Sequence, residues 1–151
     1  MQSALDIFRL TGAQHFLPYW VAHHAMVRAL VGDASDAEAL VQGCIATANR
    51  TGEHWSSAEL HRYLGLVLER AGRPSADIEA CFLRAVEVAC SQHAVAWAAR
   101  ARFDLARHRL ASGRAGEARA LLEELRGTVA VDIDVTLPGR IDALLEACRT
   151  R

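Results

Sequence analysis

Histidine and cysteine are the residues of this sequence that could bind a metal ion or move protons at neutral pH. The chain has seven histidines and four cysteines, and none of them falls in an H-E-x-x-H or C-x-x-C pattern. A metal site built across helices from His24, His61 and Cys44 is conceivable, but surface or capping histidines explain these residues more simply. The cysteines lie in Ala-rich stretches, which favours reduced, buried thiols over disulfides. We therefore expect no metal and no other cofactor.

Carboxylates and hydroxyls offer another route to catalysis. Glu53, Glu59 and Glu69 could serve as general acids or bases, yet glutamates in helices are usually solvated. Ser56 and Ser57, which lie near His54, are not in a G-x-S-x-G turn, so we interpret them as residues of a first helical turn. The chain contains no lysine, so it has no G-x-x-x-x-G-K-[ST] phosphate loop. These observations predict a protein that is not an enzyme.

The 17 basic residues are all arginine, and some of them form stripes. Arg100, Arg107 and Arg114 are spaced seven apart, as are Arg102 and Arg109, so each set stays near one face of a helix. A solvated helix face is the simpler interpretation, and a cationic groove for an acidic peptide or a nucleotide is the alternative. The net charge of −1 gives no general attraction to nucleic acid or anionic lipid. We expect neither as a partner.

The spacing of glycine indicates which elements position these residues. Gly32, Gly72 and Gly113 each follow an apolar stretch, in the sequences LVGD, RAGR and ASGR, at intervals of 40 and 41 residues. Glycine is common just past the end of a helix. A repeated interval of this size is typical of stacked structural repeats.

Each repeat reads as a first helix, a short turn and a second helix. In the common register, small residues coincide at the middle of the first helices, namely Ala25, Gly65 and Ala106. Small side chains there would let a neighbouring helix approach closely. Apolar residues in both helices recur at i, i+3, i+4 and i+7, so neither helix can bury its stripe alone. Residues 1–126 are therefore predicted to form an all-α solenoid of about three stacked helix pairs.

This pattern resembles the tetratricopeptide repeat, with Leu64 and Gly65 on a first helix and I-x3-F-x2-A from Ile78 to Ala85 on the second. Residues 14–126 are similar to the C-terminal region of large bacterial signal-transduction ATPases, which carry an N-terminal adenylate/guanylate cyclase or LuxR-type DNA-binding domain. The resemblance implies a tetratricopeptide-like helical-hairpin solenoid that binds partners, self-associates or senses an effector. It transfers no catalytic residue.

In stacked helix pairs of this kind, the first helices line the concave surface, which predicts a groove for a protein or peptide partner. The residues expected to line the groove are Tyr19, Ala22, Met26, Glu59, Arg62, Leu66, Glu69, Arg100, Phe103, Arg107 and Leu110. Tryptophans at the starts of the three first helices, Trp20, Trp55 and Trp97, are expected in the core between repeats.

The chain changes character after the last repeat. Residues 127–136 are predicted to be an extended linker, because apolar side chains occupy every second position from Val129 to Val135. The alternative is a strand that pairs with its copy in a second subunit. Pro138 then marks the first turn of a C-terminal capping helix over 137–151.

The N-terminal stretch MQSALDIFRL lacks a basic leader followed by an apolar run, and no apolar span is long enough to cross a membrane, so we expect a cytoplasmic protein. The stretch SALDIFRLTG is typical of a helix without its partner, which favours self-association as a dimer. We therefore expect a non-catalytic scaffold for protein–protein interaction in bacterial signalling or transcriptional regulation. A small-molecule effector-sensing domain is the alternative.

Overall fold

A computed structural model describes residues 16–33, 36–128 and 135–150. These residues form seven α-helices, and no strand occurs among them. In chain order the elements are α1 (Leu17–Leu30), α2 (Ala37–Thr51), a 3-10 turn (His54–Ser56), α3 (Ser57–Arg70), α4 (Ser75–Ser91), α5 (Val95–Ala111), α6 (Ala115–Thr128) and α7 (Leu137–Arg149). The prediction of an all-α fold with three helix pairs and a C-terminal helix is confirmed. The first helices are α1, α3 and α5, and the second helices are α2, α4 and α6.

The helix ends explain why glycine reveals the repeat. Gly32, Gly72 and Gly113 have φ angles of 102°, 64° and 80°, in the left-handed region that favours glycine. The residue after each glycine donates its N–H to a carbonyl five positions back, for example from Arg114 N to Arg109 O at 2.9 Å. This hydrogen bond closes the last turn of each first helix. The predicted helix ends are therefore confirmed.

The chain divides into two compact units, Met1–Cys81 and Phe82–Arg151, with the boundary inside α4. In the first unit α1 packs against α2, and α3 packs against both of them. In the second unit α5 packs against α6, and α7 packs against both. A later helix thus covers part of the apolar surface that the preceding pair leaves open.

The small residues at the middle of the first helices are buried, as the register predicts. Ala25 and Ala106 have no exposed surface, and Gly65 is also buried. In the second unit the core joins α5, α6 and α7 through Phe103, Leu122 and Ile141, among others. Ala106 belongs to this same core, so a small residue of α5 lies among large apolar side chains.

Several predictions at the edges of the repeats need correction or lie outside the described residues. The predicted linker begins too early, because α6 continues through Thr128. Residues 129–134, which are most of the alternating apolar stretch from Val129 to Val135, lie outside the described part of the chain, as do residues 3–12, the SALDIFRLTG stretch. Among the described residues, no helix combines the length and apolar character that crossing a bilayer requires.

The tryptophans are less buried than predicted. Trp20 is 45% exposed and Trp55 is 38% exposed, so neither belongs to the core, while Trp97 is half-buried. Trp20 lies on the side of α1 opposite its buried alanines, and Trp55 lies in the 3-10 turn before α3. An indole at either position extends over the surface.

Two glycine-to-alanine substitutions should change stability in opposite directions. Neither Gly113 nor Gly43 has an atom within 4 Å of the place where a Cβ would lie, so backbone conformation decides the outcome. Gly113→Ala forces a φ of 80° on alanine and should lower the free energy of unfolding by about 1 kcal/mol. Gly43→Ala, in the middle of α2, should raise it by about 0.5–1 kcal/mol. Urea denaturation followed by circular dichroism measures both, and two changes of the same sign would contradict this explanation.

Candidate interaction site

Aromatic side chains concentrate at one place in the first unit. The chain has three Trp, two Tyr and four Phe residues, and five of these nine form one network of rings together with a histidine. We call this set the aromatic cluster: Phe16, Tyr19, Trp20, His23, Trp55 and Tyr63. Ring centroids are 5.1 Å apart for Phe16 and Trp55, 5.3 Å for Tyr19 and Trp55, and 5.6 Å for His23 and Tyr63. Aromatic pairs at these separations stabilise a protein by more than the burial of their surface area alone would.

Three elements supply the cluster, and hydrogen bonds join them. The start of α1, the 3-10 turn and α3 each contribute rings. Glu53 Oε1 accepts hydrogen bonds from the Phe16 backbone N–H at 2.7 Å and from Trp55 Nε1 at 2.9 Å. The Tyr63 hydroxyl donates to the Tyr19 hydroxyl at 3.3 Å. The start of α1 is thereby tied to the turn and to α3.

A buried ion pair lies next to these rings on α3. Glu59 is only 1% exposed, and Arg62 donates from Nε to Oε1 and from Nη2 to Oε2, both at 2.9 Å. A two-pronged arginine–carboxylate pair fixes both side chains in orientation. The Arg62 guanidinium carbon also lies 5.1 Å from the centroid of the Tyr63 ring, within range of a cation–π contact. The ion pair therefore positions one of the central rings of the cluster.

Burial shifts the pKa values of two cluster members, His23 and Tyr63. Desolvation lowers the pKa of His23 below its ordinary value, and the nearby Glu59 carboxylate opposes that shift only in part. Its Nδ1 atom is buried and has no hydrogen-bond partner. Desolvation also raises the pKa of Tyr63, so its hydroxyl stays protonated and able to donate to Tyr19. Both shifts favour the uncharged form of the ring.

The structure revises the predicted groove. Of the eleven residues expected to line it, six are buried, so they pack inside the chain instead of facing solvent: Ala22, Met26, Glu59, Leu66, Phe103 and Leu110. The face of a first helix that was expected to be open is thus largely covered. Tyr19, Arg62, Glu69, Arg100 and Arg107 are half-buried. Of these, Tyr19 belongs to the aromatic cluster and Arg62 contacts it.

From the sequence, Phe16 and His23 are not predicted as site residues, Glu53 is considered only as a general acid or base, and Trp20 and Trp55 are assigned to the core. The signal that could have found them is the density of aromatic residues just before and within the starts of two first helices. That density becomes a site only when α1 and α3 are packed together, because the two groups lie about one repeat apart in sequence.

Three of the five arginines in the predicted stripes lie near carboxylates. Arg107 Nε lies 3.7 Å from Asp104, and Arg109 and Arg114 lie 3.7 and 3.6 Å from Glu117. Opposite charges at these distances reduce the positive potential that an acidic ligand would need. Among the described residues, no group of three or more His, Cys, Asp or Glu side chains could hold a metal ion.

The second unit has a surface pocket of about 250 Å³ between α4, α5 and α6. Its polar lining includes Cys90, His93 and Arg102, and the rest is mainly alanine, valine and leucine. Arg102 Nη2 donates to Cys90 Sγ at 3.7 Å. The pocket is smaller than the 300–1,000 Å³ typical of sites for drug-sized ligands.

All four cysteines are free thiols, in different surroundings. Cys44 and Cys148 are buried, as predicted, and Cys81 is half-buried. Burial raises the pKa of all three thiols, that of Cys44 to about 11, so they are weak nucleophiles at neutral pH. Cys90 is exposed, which corrects the prediction that every cysteine is buried.

The lowered pKa of His23 makes the stability of the first unit depend on pH. The unfolded chain takes up a proton near the ordinary histidine pKa of 6.5, at a higher pH than the folded chain does. This contribution to stability is therefore complete above pH 6.5 and is lost as the pH falls through the folded-state pKa. His23→Gln and His23→Phe should both lose less stability than the wild type between about pH 7.5 and pH 5.5, as measured by urea denaturation. A wild-type pH dependence in both variants would contradict the shift.

No protein-family model matches the chain, and no solved structure matches it significantly. The chain is similar to an uncharacterised protein of Rhizobium meliloti (strain 1021), with 34% identity over 113 residues. The matched region covers 75% of this chain and 11% of that protein. The chain therefore spans about a tenth of the length of the curated relative that it matches.

Proposed function

We propose that this chain is a non-catalytic helical-repeat scaffold whose aromatic cluster binds a protein or peptide partner. The observation that supports the proposal is the concentration of five of the nine Phe, Trp and Tyr residues in one ring network. Three of these side chains reach solvent, with exposures of 49% for Phe16, 45% for Trp20 and 38% for Trp55. Tryptophan, tyrosine and arginine are the residues most enriched at the energetic centres of protein interfaces.

The cluster is held in place before any partner arrives. Trp55 is fixed by its hydrogen bond to Glu53, and Tyr63 is fixed by Tyr19 and by the Arg62 guanidinium. A side chain that is already ordered loses little conformational entropy on binding. Rigid aromatic residues can therefore serve as anchors for a partner at low cost.

The chemistry of the cluster favours a partner with large apolar side chains. Its exposed rings are apolar surfaces with a few polar atoms at their edges, which suits a helical or extended peptide with apolar anchor residues. From the resemblance to repeat regions of bacterial regulators, we place this binding in signalling or transcriptional regulation. We also propose a cytoplasmic location, where the free thiols would remain reduced.

The alternative function is the sensing of a small-molecule effector. The pocket in the second unit favours it, because a few polar side chains, including Arg102 and His93, lie in a mainly apolar lining. Its volume of about 250 Å³ limits it to a ligand smaller than most effectors. The scaffold therefore has the stronger support.

Selection from a random twelve-residue peptide phage library against the purified chain tests the scaffold directly. We expect enriched peptides with large apolar residues, and we expect Trp55→Ala to weaken their binding at least about tenfold in fluorescence anisotropy. Trp97→Ala, a change of the same size in the second unit, is the matched control and should leave affinity unchanged. Peptides that bind Trp55→Ala as tightly as the wild type would contradict the proposed site.

Native mass spectrometry of the gently purified protein separates the two functions. The scaffold predicts masses of the chain or its multiples with nothing added. A constant small added mass that disappears in Arg102→Met would favour the effector sensor.

A further inference from the structure

Helix α1 has a second apolar face, directed away from the helices that it packs against. Its buried residues are Pro18, Met26 and three alanines, Ala22, Ala25 and Ala29. On the other side Trp20, Val27, Leu30 and Val31 are exposed by 45%, 36%, 40% and 78%. At 100° per residue, Trp20, Val27 and Val31 form one stripe opposite the alanines. A helix that is apolar on both sides is normally covered on both sides.

The repeat register shows what this face does in the other first helices. One period later, Trp20 corresponds to Leu60 and Val27 corresponds to Val67, and both residues of α3 have no exposed surface. Helix α3 packs against both helices of the preceding pair. In α5 the counterpart of Val27 is His108, which is buried with its ring 6.2 Å from that of Phe82 on α4. This face of a first helix is therefore a surface on which other helices pack.

The charges on α1 determine which partner suits the face. The only Arg, Lys, Asp or Glu residue in α1 is Arg28, and it donates two hydrogen bonds to Asp33 Oδ2, at 2.9 and 2.6 Å. Two copies of this face can therefore meet without repulsion between like charges. The last helix, α7, differs because its exposed residues include Arg140, Asp142, Glu146 and Arg149. A charged surface of that kind does not complement an apolar one.

We propose that α1 packs against α1 of a second copy of this chain, in an antiparallel dimer with two-fold symmetry. In this arrangement Trp20 of one copy contacts Val27 of the other, so that a large side chain meets a small one twice. The midpoint between these two positions falls next to His24, which places the two His24 side chains close to the symmetry axis. The inference rests on the proposed scaffold function and adds to it a self-association surface, which shares Trp20 with the aromatic cluster.

Sedimentation velocity over a range from about 5 µM to about 500 µM tests the dimer. We expect a reversible monomer–dimer equilibrium, and we expect Val27→Glu to raise the dissociation constant at least about tenfold. Leu83→Glu, at a 47% exposed leucine of α4, is the matched control and should leave the equilibrium unchanged. Far-UV circular dichroism confirms that both variants fold. A monomer at every concentration, or a dimer unaffected by Val27→Glu, would overturn the proposal.

A disulfide cross-link tests the geometry. In a Cys90→Ser background, which removes the exposed thiol, His24→Cys should form a covalent dimer on mild oxidation. Ala143→Cys, at an exposed position of α7, should not. A cross-link through Ala143→Cys alone would place the contact elsewhere.

The peptide test and the dimer test can fail separately. If peptide binding still requires Trp55 while the chain stays monomeric, only the dimer is refuted. If peptides do not require Trp55 and the chain also stays monomeric, the scaffold is refuted as well.

Discussion

The ion pair between Glu59 and Arg62 links the buried interior of the first unit to its aromatic cluster. A carboxylate with 1% exposure is costly to bury, and Arg62 compensates it with two hydrogen bonds of 2.9 Å. With both ends of the pair fixed, the guanidinium supports the Tyr63 ring, and Tyr63 in turn contacts Tyr19 and His23. A chain of contacts thus runs from a buried charge to exposed aromatic rings. Rearrangement of the pair would disturb the proposed binding surface.

A second constraint comes from the way in which helix pairs stack. In a stack of helix pairs, a first helix packs on its own second helix with one side and on the preceding pair with another. Helix α3 packs against both helices of the preceding pair, and its Leu60 and Val67 are fully buried. Helix α1 has apolar residues on both sides and keeps Trp20 and Val27 partly exposed. The proposed dimer follows from that difference between two helices with the same sequence pattern.

Local signals made much of the fold predictable from the sequence, whereas the site depended on contacts between helices. Gly32, Gly72 and Gly113 end helices because their backbone conformation requires glycine, and that requirement is visible in one residue. The burial of Glu59 could not be predicted in this way, because a glutamate in an amphipathic helix is usually solvated. In the structure this side chain is buried. The aromatic cluster was equally hidden, because Tyr19 and Tyr63 meet only through the packing of α1 on α3. Six of the eleven residues predicted to line a groove are buried, which the repeat register alone did not reveal.

A double-mutant cycle on Glu59 and Arg62 tests most directly whether the buried pair supports the aromatic cluster. Glu59→Met, Arg62→Met and the combined variant are compared by urea denaturation and by near-UV circular dichroism, which reports the packing of Trp and Tyr rings. Arg62→Met should lose about 3 kcal/mol of unfolding free energy and part of the near-UV signal, because it removes the guanidinium that compensates the buried Glu59 carboxylate. Glu59→Met should lose less, because the Arg62 side chain is only half-buried. The combined variant should lose at least about 1.5 kcal/mol less than the two single losses together. Losses that add within about 0.5 kcal/mol, with an unchanged near-UV spectrum, would contradict the account.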